Sequence, residues 1–125
     1  MLFLVQHCYS RLLSVGNLSA RRDFTDVGDV ARGYRDALER GRVGEAYNLC
    51  SSRSVPIREL VDQLVDLSPA EITIRRDEAR LRPVDVPEFL GTAAKAKEHF
   101  GWEPTVPLRE SLRSALEEWR AATAD

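Results

Sequence analysis

The sequence is poor in the residues that build metal centres and disulfide frameworks. It has two cysteines, Cys8 and Cys50, and two histidines, His7 and His99, among 125 residues. None of the four falls in a CxxC motif or in the close Cys/His spacing of a zinc site, and two isolated cysteines define no disulfide framework. We therefore expect no metal site and no disulfide, and free thiols fit a reducing cytoplasm.

Neither sign of charge dominates, and no hydrophobic run is long. Lysine and arginine number 18 against 20 aspartates and glutamates, which gives a net charge of -2. A phosphate backbone is bound by clustered, uncompensated basic residues, so the composition argues against a general nucleic-acid binder. The opening run MLFLV is too short for a membrane span and lacks the basic lead-in of a signal peptide. We expect neither membrane association nor secretion.

The sequence also lacks a complete catalytic apparatus. Its seven glycines form no glycine-rich turn between a strand and a helix, which would let backbone amides approach a dinucleotide pyrophosphate. None of the three tyrosines is followed four residues later by a lysine, which would lower the tyrosine pKa so that the phenol could exchange a proton near neutral pH. We expect no catalytic, cofactor-binding or metal-binding residue in this chain.

What the sequence does contain is the composition and periodicity of a folded α/β protein. Hydrophobic residues make up 43% and charged residues 30%, and a chain of this length suits one compact domain. The predicted strands are 12–18, 45–51 and 71–76, and the predicted helices are 26–40, 56–68, 92–100 and 108–120. The periodic apolar residues of the first helix are Val27, Val30, Ala31, Tyr34 and Leu38. This order gives an α/β fold with few strands and packed helices.

The segment RLRPVDVPEF (residues 80–89), called the arginine loop below, combines rigidity with charge. Pro83 and Pro87 fix their own backbone and favour an extended backbone before them, so little conformational freedom is lost on binding. The guanidinium of Arg82 matches two phosphate oxygens, and the carboxylate of Asp85 accepts hydrogen bonds from ribose hydroxyls. Alternatively, Arg82 and Asp85 pair with each other at the surface, which contributes at most about 1 kcal/mol. The residues alone leave both interpretations open.

Three segments together resemble a known family. They are VGNLSARRDFTDVGDVARGY (15–34), EAYNLCSSRSVPIREL (45–60) and LRPVDVPEFLGTAAKAKEHFGWEPTVPLRESL (81–112). In this order they resemble the C-terminal part of extended short-chain dehydrogenases of the NAD-dependent epimerase/dehydratase family. The likeness is greatest to GDP-mannose 4,6-dehydratases and GDP-4-keto-6-deoxymannose reductases. It implies the C-terminal, substrate-binding portion of such an enzyme without the N-terminal Rossmann half.

The resemblance implies roles for four residues. Arg22 and Arg82 would hold the diphosphate of a nucleotide sugar, Asp85 would accept hydrogen bonds from the ribose hydroxyls, and Asn17 would lie near the nucleotide. Each role has a structural alternative. Arg22 could instead pair with Asp23 or Asp26, and Asn17 could be a turn residue.

The resemblance also implies what this chain would lack. Residues 1–14 diverge from the family, and residues 15–125 would form the nucleotide-sugar-binding domain, so the chain looks like a fragment. Family members bind NAD(P) and carry the Tyr/Lys pair in their N-terminal half, so this chain by itself is expected to bind no cofactor and to be inactive. Its expected ligand is GDP-mannose or a 4-keto-6-deoxy derivative.

A second hypothesis is a small α/β protein-interaction module that keeps the fold without binding the ligand. Both hypotheses predict an unusual apolar surface, because the half that normally covers part of this one is missing. Such a surface would favour self-association or association with a Rossmann-half polypeptide.

Overall fold

A computed structural model describes residues 11–82 and 86–123 and shows an α/β fold. The described helices are α1 (Val27–Arg40), α2 (Ile57–Asp66), α3 (Ala94–Phe100) and α4 (Leu108–Ala122), with a 3-10 helix at Glu78–Arg80. The described strands are β1 (Leu12–Val15), β2 (Arg21–Asp23), β3 (Ser54–Pro56), β4 (Thr73–Arg76) and β5 (Glu88–Phe89). No helix within the described ranges is long and apolar enough to cross a bilayer. The predicted boundary after residue 14 stays a prediction.

The chain divides into two compact units. Among the described residues, unit 1 comprises 11–20, 56–82, 86–87 and 109–123, and unit 2 comprises 21–55 and 88–108. Each unit has a hydrophobic cluster of its own.

Unit 1 is built on two parallel strands and a helix. Strand β1 pairs with β4 in register from Leu12 opposite Thr73 to Val15 opposite Arg76. The first turn of α2 is tied to the segment after β1, because the N–H groups of residues 57 and 58 donate to the carbonyls of Ala20 and Leu18, both at 2.9 Å. The cluster comprises Leu13, Val15 and Val61, with Leu18, Ile57, Val65, Ile72 and Ile74 packed against it.

Unit 2 combines a three-stranded sheet, in the order β3-β2-β5, with a cluster around Trp102. Trp102 is 0% exposed. Its cluster also holds Ala93, Ala96 and Phe100, with Ala37, Tyr47, Leu49 and Cys50 packed against it. Helix α1 approaches the indole closely at Gly33, where an added Cβ would lie 2.8 Å from Nε1 of Trp102. A side chain at this position would therefore displace the helix.

Asp29, on the first turn of α1, is 2% exposed and fully hydrogen-bonded. Its carboxylate accepts from the backbone N–H groups of Thr105 (2.7 Å) and Val106 (2.8 Å), the Thr105 hydroxyl (2.9 Å) and the Arg32 guanidinium (2.5 Å). Its backbone carbonyl accepts from Nε1 of Trp102 at 3.0 Å. Burial alone raises the pKa of Asp29, but the hydrogen bonds from Val106, Arg32 and Thr105 to its carboxylate outweigh burial and lower the pKa to about 2.

The helix predicted at 26–40 is confirmed, but its most hydrophobic face points to solvent. Val27, Tyr34 and Leu38 are 82%, 64% and 89% exposed. With exposed Ala31 they form a row on one side of the helix, called the α1 stripe below. The residues that α1 buries are Asp29, Gly33 and Asp36.

The prediction of a strand at 45–51 is wrong. This segment packs Tyr47, Leu49 and Cys50 against the Trp102 cluster, which explains its apolar alternation. At its end the backbone N–H of Ser51 donates to the Asp23 carboxylate at 2.9 Å, so a side chain takes the place of a ladder partner there. The strand begins later, at Ser54.

Candidate functional site

The arginine loop starts beside the turn that follows β1, within unit 1. A Cβ at Gly16 would lie 2.6 Å from the carbonyl oxygen of Arg80, so the two backbones are in direct contact. The 3-10 helix that leads into the loop and ends at its first residue is capped by Asp77, whose carboxylate accepts from the N–H of Ala79 at 3.0 Å. Arg82, two residues beyond the contact, is exposed. The turn that carries Asn17 and the start of the loop that carries Arg82 thus lie next to each other.

Asn17 makes a local turn. Its side-chain oxygen accepts from the backbone N–H of Ser19 at 3.0 Å and from the Ser19 hydroxyl at 2.7 Å. This geometry fits the structural alternative considered for Asn17, a turn residue. The role of Asn17 near a nucleotide stays a prediction.

A groove of about 850 Å³ lies beside Asn17 in unit 1. Its lining includes Val15 and Arg76, the last residues of β1 and β4, together with Gly16 and Asn17. Because β1 and β4 are parallel, both carboxyl ends meet at this edge. In open α/β sheets, ligands bind outside the carboxyl ends of parallel strands. The groove therefore has the position expected of a ligand site.

Arg22 lies on β2, in unit 2. Its backbone is opposite Phe89 of β5, the strand that ends the arginine loop. Its guanidinium NH1 donates to the backbone carbonyl of Arg21 at 2.7 Å. This bond ties the charged group of Arg22 to the backbone of its own strand.

Arg21, Ser54 and Glu88 form a side-chain network across the sheet of unit 2. Nε of Arg21 donates to Oγ of Ser54 at 3.2 Å and to Oε1 of Glu88 at 3.1 Å, and its NH2 donates to the Ser54 carbonyl at 2.7 Å. The Ser54 hydroxyl donates a short hydrogen bond to the same Glu88 oxygen. Hydrogen bonds from Ser54 and from Arg21 hold the pKa of Glu88 below its ordinary value.

Asp23, the residue after Arg22, is engaged with the segment that precedes β3. One carboxylate oxygen accepts from the backbone N–H of Ser51 at 2.9 Å and from the Ser51 hydroxyl at 2.5 Å. The other oxygen is buried and has no hydrogen-bond partner among the described residues. Asp23 therefore positions the chain next to β2.

The predicted site residues thus fall in three places. Asn17 and Arg82 lie in unit 1, on segments that touch through Gly16. Arg22 lies in unit 2, and Asp85 lies outside the described residues. Sequence reasoning missed the network of Arg21, Ser54 and Glu88, since its members are 33 and 34 positions apart and share no motif.

The α/β architecture agrees with solved structures of other proteins. The chain superposes on RMD from Pseudomonas aeruginosa, solved in complex with NADPH, with a TM-score of 0.86 and 32% identity. The superposition covers 98% of this chain and 40% of the RMD chain. UDP-glucose 4-epimerase from Thermotoga maritima, solved with UDP-glucose, gives a TM-score of 0.80 at 29% identity over 88% of this chain and 35% of that chain. The fold is that of a partial, C-terminal portion of an extended short-chain dehydrogenase.

The sequence comparisons identify the family. Residues 3–115 match the family model described as GDP-mannose 4,6 dehydratase, and the chain belongs to that family. It is 37% identical over 109 residues to GDP-6-deoxy-D-mannose reductase of Pseudomonas aeruginosa. This alignment covers 87% of this chain and 36% of the reductase. The chain thus spans about a third of the length of this relative. The resemblance predicted from the three segments is confirmed.

Proposed function

We propose that this chain binds a GDP-sugar and supplies part of the substrate site of a dehydratase or reductase. The observation that carries the proposal is the contact between Gly16 and the Arg80 carbonyl, which sets the Asn17 turn against the start of the arginine loop. The groove at the carboxyl ends of β1 and β4 lies at the same edge. The groove is lined by Asn17 and by two arginines, Arg58 and Arg76, together with the acids Glu59, Asp62 and Asp66. Its arginines and the polar turn suit the phosphates of a ligand.

In this proposal Arg82 and Arg22 hold the diphosphate, because a guanidinium can donate two parallel hydrogen bonds to phosphate oxygens. Asp85 accepts hydrogen bonds from the ribose hydroxyls, and Asn17 lies near the nucleotide. GDP-mannose or a 4-keto-6-deoxy derivative is the proposed ligand, in view of the likeness to the reductase.

The proposal assigns no cofactor and no chemical step to these residues alone. The Pseudomonas aeruginosa structure is a complex with NADPH, but the glycines of this chain form no glycine-rich strand-to-helix turn. None of its tyrosines is followed by a lysine four residues later. We therefore expect these residues to bind the substrate and to need a nicotinamide and an acid/base pair from elsewhere for hydride transfer.

Thermal unfolding with GDP-mannose, GDP or NADPH tests the proposal. GDP-mannose and GDP should each raise the Tm, and NADPH should not. At a ligand concentration a hundredfold above Kd, the expected stabilisation is about 2.7 kcal/mol. Arg82→Ala should weaken GDP binding by about tenfold or more, because hydrogen bonds to charged groups contribute about 1.5–3 kcal/mol.

Arg75→Ala is the matched control, since Arg75 is an exposed arginine of the same unit that lies on β4. This variant should bind GDP as the wild type does. If neither GDP nor GDP-mannose shifts the Tm, or if both alanine variants lose affinity equally, the proposed site is wrong.

The α1 stripe favours a second candidate function, a protein-interaction module. A row of exposed Val27, Tyr34 and Leu38 is the kind of surface that associates with another polypeptide. A Rossmann-half polypeptide of the same family is the partner that the first hypothesis also requires. Association that Tyr34→Lys abolishes, with no response to nucleotide, would favour the module over the substrate site.

A further inference from the structure

Strand β5 is too short for its backbone pairing to hold it firmly. Among the residues that the structure describes, two pairs join it to β2, Arg21 with Glu88 and Arg22 with Phe89. Each backbone hydrogen bond contributes about 1 kcal/mol net, and isolated short ladders are marginal in water. Side-chain bonds across the sheet must therefore supply much of what keeps β5 beside the strand of Arg22.

The network described above supplies those bonds from all three strands. Ser54 of β3 is buried, and its hydroxyl and carbonyl both bond to the network. Arg21 of β2 lies between Ser54 and Glu88, and Glu88 is the member of the network on β5. Glu88 accepts from both partners through a single oxygen, so its loss would remove both of these side-chain bonds at once and leave the two backbone pairs with β2.

The network also reaches Arg22 through the backbone. Arg22 donates to the carbonyl of Arg21, and the side chain of Arg21 is bonded to Ser54 and Glu88. A movement of the Arg21 backbone therefore moves the guanidinium of Arg22. Glu88, near the end of the arginine loop, and Arg21, whose carbonyl binds the Arg22 guanidinium, thus belong to one set of hydrogen bonds.

We propose that Glu88 is a positioning residue for the substrate site, which holds β5 and Arg22 in the arrangement that binds the diphosphate. This inference rests on the proposed function. Glu88 does not touch the ligand and acts through Arg21 and Ser54. Its contribution depends on accepting two hydrogen bonds, which an amide oxygen can also do.

The test compares Glu88→Ala and Glu88→Gln with a control, Glu45→Ala. Glu45 is a fair match because it lies in the same unit, pairs with Lys95 at 2.5 Å and has a side chain 44% exposed against 48% for Glu88. Hydrogen bonding and attraction to Lys95 also lower the pKa of Glu45. Removal of either carboxylate therefore breaks a similar surface pair.

Two measurements on the full chain decide the matter. In hydrogen exchange without ligand, Glu88→Ala should speed exchange of the β2 and β5 amides by about tenfold, the equivalent of one lost hydrogen bond. In titrations with GDP, Glu88→Ala should weaken binding by about tenfold, whereas Glu88→Gln should stay within about threefold of the wild type. Glu45→Ala should change neither result.

A purely structural role would lower the Tm of Glu88→Ala and leave its GDP affinity, measured well below the Tm, unchanged. That result would overturn the inference, and so would equal losses in Glu88→Ala and Glu45→Ala. If the wild type does not bind GDP, the proposed function fails, and exchange rates unchanged in Glu88→Ala would then refute the positioning role by themselves.

Discussion

Replacement of Asp29 by asparagine should destabilise the protein strongly, because the carboxylate is the acceptor for four donors. It is 2% exposed and accepts from two backbone N–H groups, a hydroxyl and a guanidinium. An asparagine keeps one acceptor oxygen and turns an N–H₂ group toward buried donors. Since hydrogen bonds to charged groups contribute about 1.5–3 kcal/mol each, we expect a loss of about 3 kcal/mol in the free energy of unfolding.

The pKa of Asp29 gives a second estimate of how much its ionised carboxylate stabilises the folded state. The pKa of Asp29 falls from 3.8 to about 2 on folding, which corresponds to about 2 kcal/mol of stability. Because the folded pKa is the lower one, this stability is present above the unfolded pKa and is lost as the pH falls through the folded pKa. The difference between wild type and Asp29→Asn should therefore shrink between about pH 5 and pH 2.

Urea titrations followed by tryptophan fluorescence measure the free energy of unfolding at each pH, since Trp102 bonds to the Asp29 carbonyl. In thermal unfolding at pH 7 the Tm should fall by about 10 °C. Glu39→Gln is the control, because it removes a negative charge from an exposed position of the same helix. Stability within 0.5 kcal/mol of the wild type, about the size of an ordinary surface effect, would refute the reasoning, as would a pH-independent deficit.

Two backbone positions give further predictions. Ser52 has a φ of 59°, and its hydroxyl accepts from the N–H of Ala93 at 3.0 Å. Ser52→Ala should lower the free energy of unfolding by about 1 kcal/mol, and Ser52→Gly should lower it less, because glycine relieves the left-handed backbone. Equal losses of the two variants in urea titrations would contradict this. Gly16→Ala would place a Cβ 2.6 Å from the Arg80 carbonyl and should lower both the Tm and the stabilisation by GDP, whereas Gly28→Ala, at an exposed position in α1, should affect GDP binding little.

Periodicity predicted the helices and the longer strands of this fold, but not the direction in which α1 faces. An apolar row at helical spacing shows that a helix forms, and in α1 that row is exposed while Asp29 and Asp36 are buried. The acids can be buried because Arg32, Arg35 and Arg40 pair with them and because backbone N–H groups bond to Asp29. The arginine pairs lie within the helix at local spacing, whereas the backbone donors come from Thr105 and Val106, a segment that the linear sequence does not place beside α1.

The short strands and the side-chain network between them could not be predicted from the sequence, for a related reason. Strands β2 and β5 contain three and two residues, which is too few to show the alternation of apolar and polar residues by which a strand is recognised. Arg21 and Glu88 are 67 positions apart, so only the sheet topology brings them together. The motif that carries Arg82 and the segment that carries Asn17 can be recognised in consecutive residues, and the binding roles of Arg82 and Asn17 stay predictions.

The exposed row on α1 separates two properties that mutations often change together. Its side chains contribute little to the buried cluster, so lysine or glutamate at Tyr34 or Leu38 should leave the unfolding free energy nearly unchanged. The same changes should reduce aggregation at high protein concentration. Colloidal behaviour and conformational stability of this chain can thus be engineered separately, on opposite sides of one helix.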